Sequence, residues 1–89
     1  MKTIHKYVLE ATDVQVITMP NNSEILTVQT QNGVPCIWAL VDTDNSPEER
    51  VFYIFGTGQE VGDAILNMIY IGTFQMENSG LVFHLFERK

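Results

Sequence analysis

Eighty-nine residues, 45% of them hydrophobic, give room for a single domain (1–89) with one core; a disordered chain and a large multidomain enzyme are both excluded. No apolar run approaches the roughly 20 residues that a membrane-spanning helix needs, so no membrane partner is expected. Five basic residues against eleven acidic ones give a net charge of −6, and a surface of that sign repels phosphates and argues against direct binding of DNA or RNA.

Turn signals recur at the spacing of an all-β sandwich or barrel, so the chain reads as mainly β: an antiparallel sandwich or barrel-like sheet of six or seven strands. The first run, "TIHKYVL" (3–9), alternates Ile4, Lys6 and Val8 with His5, Tyr7 and Leu9. "DVQVITM" (13–19) is the second, broken by Pro20-Asn21-Asn22-Ser23, because proline donates nothing to a ladder and Asn and Ser favour turns. "EILTVQTQ" (24–31) and "VPCIWALVD" (34–42) flank Asn32-Gly33. An Asn-Gly pair there predicts a two-residue hairpin, whose type I′ turn needs φ > 0 at both positions. Pro35 then belongs at a strand start or edge.

"DTDNSPEER" (42–50) reads as a polar loop, and "VFYIF" (51–55) as a strand apolar on both faces, hence central. Residues 59–71 mix signals. Val61, Ile65, Met68 and Ile69 fall at helical spacing, while Gly62 weakens a helix. At most one short helix is expected, near 61–67, before a strand through "IYIGTFQ". "LVFHLFER" (81–88) closes the chain as a last strand after the Ser79-Gly80 turn.

Between Tyr7 and Glu49 stand Glu10, Asp13, Glu24, Asp42, Asp44, Glu48 and Glu49 with no Lys or Arg. Beyond solubility, such a segment could meet a basic protein surface, and Asp42, Asp44, Glu48 and Glu49 are its candidate contacts. Trp38 is either core or an anchor for a partner, since Trp is both a large apolar body and a frequent hot spot. Nine aromatic residues are many for one small core, which points to some facing outward or into a subunit partner, and so to a homo-oligomer.

Gly56-Thr57-Gly58 has the look of a phosphate loop. The lysine of a Walker loop is missing, since no lysine lies between Lys6 and Lys89, and Glu60 and Asp63 would repel phosphate. A weaker possibility survives: Gly56, Thr57, Gly58 and Gln59 could line a pocket for a small polar ligand through bare amides and side chains. "FGTGQ" (55–59) also echoes "IGTFQ" (71–75), which suggests two neighbouring strands with the same bend.

Catalytic groupings are missing. Cys36 is the only cysteine, follows Pro35 among apolar neighbours, and reads as an inert small hydrophobe. Ser23, Ser46 and Ser79 lie in turns without a nucleophile elbow. His5 and His84 sit on the first and last strands, which could pair, but no third metal ligand accompanies them. No enzyme activity, metal or cofactor is therefore expected. Residues 1–10 lack the long apolar stretch of a secretory signal, and one cysteine allows no internal disulfide, so a reducing cytoplasm is the expected compartment.

Taken together, "MKTIHKY", "VQTQNGVPCIWALVD", "FGTGQEV", "YIGTFQ" and "LVFHLFE" resemble a family of small proteins of bacteriophages and prophages. The resemblance brings no assigned chemistry and no catalytic residue. It implies expression in the cytoplasm of a bacterial host. By analogy with small acidic phage proteins, it implies a non-catalytic protein that inhibits or modulates a host factor by protein–protein contact, with a host defence system as the expected target. Two alternatives follow from the same analogy: an oligomeric sponge for a small nucleotide-derived messenger, and a small virion or assembly protein.

Overall fold

The computed structural model describes all of residues 1–89 as two antiparallel sheets packed face to face. The strands are β1 (Lys2–Val8), β2 (Val14–Pro20), β3 (Glu24–Gln31), β4 (Val34–Asp42), β5 (Pro47–Gly56), β6 (Met68–Gln75) and β7 (Val82–Arg88). One sheet has the order β1-β4-β3, the other β2-β5-β7-β6. The expected sandwich of seven strands is thus present. The single short helix is a 3₁₀ turn, Asp63–Asn67, that buries no residue.

Alternation decides which side chains meet between the sheets. Phe52 and Ile54 of β5, Leu85 of β7, Phe74 of β6, Met19 of β2, Val28 of β3 and Ile37 of β4 form one buried cluster together with Leu9. The sheets approach most closely where β6 crosses β3. A Cβ built on Gly72 would lie 2.8 Å from Val28 Cγ1, so only glycine fits without movement. A bulge beside it, between Tyr70 and Gly72, shifts the β6–β7 register by one residue.

The Asn32-Gly33 hairpin forms with φ of 53° and 79°, the pair of positive angles that its turn requires. Pro35 stands second in the central strand β4, a strand-start position rather than an edge, opposite Thr30, and its carbonyl accepts from the Leu9 amide at 2.9 Å. The polar loop is shorter than its composition suggests. Strand β5 starts at Pro47, and Glu48, Glu49 and Arg50 pair with Met19, Thr18 and Ile17 of β2. An edge partner supplies the ladder bonds, and half of these side chains face water, so charge does not break the strand.

Arg50 explains part of that extension. Its Nε and Nη2 reach the two oxygens of Glu87 at 2.5 and 2.8 Å, and Nη1 donates to the Ser23 carbonyl at 2.5 Å. The Glu87 side chain is only 8% exposed. The fork therefore ties β5, β7 and the β2–β3 turn together, and the hydrogen bonds that Arg50 donates to the Glu87 carboxylate hold the guanidinium above its ordinary pKa.

Candidate functional site

The outer face of the four-stranded sheet gathers aromatic side chains from three strands. Register places Tyr53 opposite Phe86 and Phe86 opposite Tyr70, so three aromatic rings form one cross-strand row. Phe55 lies in the next row, opposite His84, which is opposite Thr73. The rings touch laterally. Tyr70 and Phe86 are 5.3 Å apart between centroids, Phe55 and Phe86 5.7 Å in an edge-on pair, and Tyr53 and Phe55 6.5 Å in a stacked pair. Val14 and Val16 of β2, opposite Tyr53 and Val51, extend the apolar area to the sheet edge, and each is more than half exposed. In a sandwich this is the side that normally carries polar residues.

His84 gives this face a fixed polar centre. Thr57 Oγ1 donates to the Val82 carbonyl at 3.3 Å, so it accepts from His84 Nε2 at 2.7 Å. Nδ1 is then the bare nitrogen and accepts from Thr73 Oγ1 at 2.9 Å, while Thr73 accepts from the Tyr70 hydroxyl at 2.5 Å. Both threonine hydroxyls in this chain donate once and accept once. Bonds ordered in one direction reinforce one another, and here they lock the imidazole and the Tyr70 ring in place.

The two threonines are the matching positions of "FGTGQ" and "IGTFQ". The echo is not a bend shared by adjacent strands. β7 lies between β5 and β6, and the bulge occurs in β6 alone. The repeated Gly-Thr instead brings one hydroxyl from each side onto the histidine of the strand between them.

The glycine loop does not act as one site. Three of its four amides are engaged: Gly56 N donates to Gln59 Oε1 at 2.9 Å, Thr57 N to the Val82 carbonyl at 3.1 Å, and Gln59 N to the Gly56 carbonyl at 3.1 Å. Gly58 makes the turn with φ of 84°, and a Cβ added there would point into open space. Thr57 belongs to the aromatic face. Gly56 and Gln59 line a separate cavity of about 510 Å³, at the end of the sandwich where the β1–β2 and β6–β7 connections splay apart. Its walls are apolar, chiefly Leu9, Ile54, Phe74, Met76, Leu81 and Phe83.

The remaining candidates are scattered. Trp38 is half-buried on the outer face of the three-stranded sheet, opposite Lys6 and Thr27 and outside the core cluster. Ile4 and Leu40, paired on the same face, are exposed. Asp42 and Asp44 clamp the terminal ammonium of Met1 at 3.1 and 2.8 Å. The Asp44 amide and then that ammonium hold the Asp42 carboxyl below its ordinary pKa, and the carboxylates raise that of the amine. Glu48 Oε1 accepts from the Asn22 amide, and Glu49 is exposed on β5. Three of the four carboxylates thus close local turns and termini rather than forming a single acidic patch.

His5 and His84 lie in different sheets, because β1 pairs with β4 and not with β7. No group of three or more His, Cys, Asp or Glu side chains is placed to hold a metal ion. Cys36 is buried at 1% exposure. No helix is long and apolar enough to cross a membrane.

A family model described as "Domain of unknown function (DUF7352)" matches residues 1–89, and the chain belongs to that family. No curated protein and no solved structure matches it.

Proposed function

We propose that this DUF7352 protein is a non-catalytic binding protein that engages a protein partner through the aromatic outer face of its four-stranded sheet. The observation that carries the reading is the row Tyr53–Phe86–Tyr70, with Phe55 beside it, on the outer face of the sheet, where Tyr70 is exposed and the other three rings are half-buried. Monomeric surfaces rarely leave so contiguous an apolar patch in water, and aromatic rings dominate the energetics of protein interfaces. The rings stand on the outer side of a sheet, which suits a protein surface better than a small molecule, whose sites are concave.

The resemblance of the sequence motifs to small phage and prophage proteins supports a bacterial host factor as the partner and inhibition or modulation in the host cytoplasm as the mode. The half-buried Trp38, with Ile4 and Leu40 on the opposite surface, supports self-association through that second face. The test is affinity for the co-purifying host protein, measured with Phe86→Ser and Tyr70→Ser beside Trp38→Ser. Hot-spot behaviour predicts a loss of at least about 30-fold for the first two, since about 2 kcal/mol is lost per buried aromatic anchor. Equal affinity of all three variants and the parent overturns the assignment of this face.

A further inference from the structure

The cavity at the end of the sandwich lies on other residues than the aromatic face and has its own chemistry. We propose that it binds a small organic cation: an apolar body seated between the sheets, with an ammonium group at the mouth.

Its size falls within the range of about 300–1,000 Å³ typical of small-molecule sites. The apolar walls come from both sheets and suit a ring or a short alkyl chain. The charge at the mouth is of one sign. Glu10, Asp13 and Glu77 are the only charged residues lining it, and no Lys or Arg is among them. None of the three takes part in an ion pair, since those of the chain involve Asp42, Asp44 and Glu87.

Donor accounting points the same way. The amides of Leu9, Gly56 and Met76 are spent on the Pro35 carbonyl, Gln59 Oε1 and the Leu81 carbonyl. The Ser79 hydroxyl donates to the Met76 carbonyl and accepts from the Leu81 amide, and the Thr12 hydroxyl donates to the Val14 carbonyl. An anion would meet three carboxylates, whereas a cation meets three unengaged acceptors whose field is focused by a low-dielectric wall. A nucleotide-derived messenger is the wrong charge for this cavity.

Isothermal titration at low salt with 4-phenylbutylammonium, 4-phenylbutanol and 4-phenylbutyrate holds the apolar body fixed and changes only the head group. The ammonium compound is expected to bind at least tenfold more tightly than the alcohol, and the carboxylate more weakly than both. Glu10, Asp13 and Glu77 are exposed, so Glu10→Gln/Asp13→Asn/Glu77→Gln should keep its melting temperature and lose the tenfold preference. Leu81→Trp, at an exposed position on the rim, should weaken the ammonium and the alcohol alike by crowding the entrance. Failure of the ammonium compound to bind, equal affinity for ammonium and alcohol, or a preference that survives the triple substitution overturns the proposal. These outcomes are independent of Phe86 and Tyr70, so they leave the reading of the aromatic face untouched.

Discussion

Gly72→Ala places a methyl group where β6 crosses β3, 2.8 Å from Val28 Cγ1. Carbon atoms in contact prefer about 3.5–4.0 Å, so the overlap is about 0.7 Å or more. Neither side yields easily. Val28 is 4% exposed in the core and has a branched Cβ with few rotamers, and β6 is held by its ladder to β7 on both sides of the bulge. Overpacking of this kind costs about 1–3 kcal/mol. Replacing glycine restricts the unfolded chain and returns about 0.4–1 kcal/mol, so the strain wins by about 1–2 kcal/mol. Thermal unfolding should then show a fall in Tm of roughly 4–16 °C, at about 4–8 °C per kcal/mol for a domain of this size. Val28→Ala alone removes two buried methyl groups and should cost about 2–3 kcal/mol. In the double variant the new methyl enters the space that the valine left. The two effects should therefore fall short of additivity by about 1 kcal/mol or more. A Gly72→Ala variant as stable as the parent, or strictly additive effects, refutes the close packing of β6 on β3.

Glu87→Gln leaves the Arg50 guanidinium without its carboxylate and should destabilise by about 3 kcal/mol in urea unfolding, whereas Arg50→Met/Glu87→Leu should recover most of that loss. Gly33→Ala forces a Cβ into φ of 79° in the β3–β4 turn and should cost about 1–2 kcal/mol by the same assay. The terminal clamp has a defined pH window. Asp42 titrates below its ordinary value, so its contribution is present above about pH 4 and is lost as pH falls through its folded pKa; the Met1 amine titrates above its own, so its contribution is present below about pH 8 and is lost as pH rises through its folded pKa. In Asp44→Asn, NMR titration should find the Met1 amine pKa lowered toward that of an unpaired terminus.

Local chemistry was legible in the sequence and long-range pairing was not. Asn32-Gly33 declared its hairpin because only certain residues accept two positive φ angles in a row. The seven strands and the short helical turn followed from alternation and from helical spacing around Ile65. The start of β5 was hidden, because Pro47-Glu-Glu-Arg50 has loop composition and becomes strand only through its partner β2. Arg50 and Glu87 are 37 positions apart, and nothing local marks either one as buried. The aromatic surplus correctly signalled outward-facing rings without saying which ones. The histidine clamp left one visible trace, the repeated Gly-Thr of residues 56–57 and 72–73. Its meaning depends on β7 running between the two strands that carry it, which no local pattern reveals.

The central claim is that the Tyr53–Phe86–Tyr70 face meets a protein partner. Hydroxyl-radical footprinting of the chain inside bacterial cells, and again after purification away from other proteins, tests it whatever the identity of the partner. Tyr53, Phe55, Tyr70 and Phe86 should be protected in the cell and reactive once purified, while Tyr7, on the other sheet, keeps the same reactivity in both. Equal labelling of the four aromatic side chains in both states contradicts the claim.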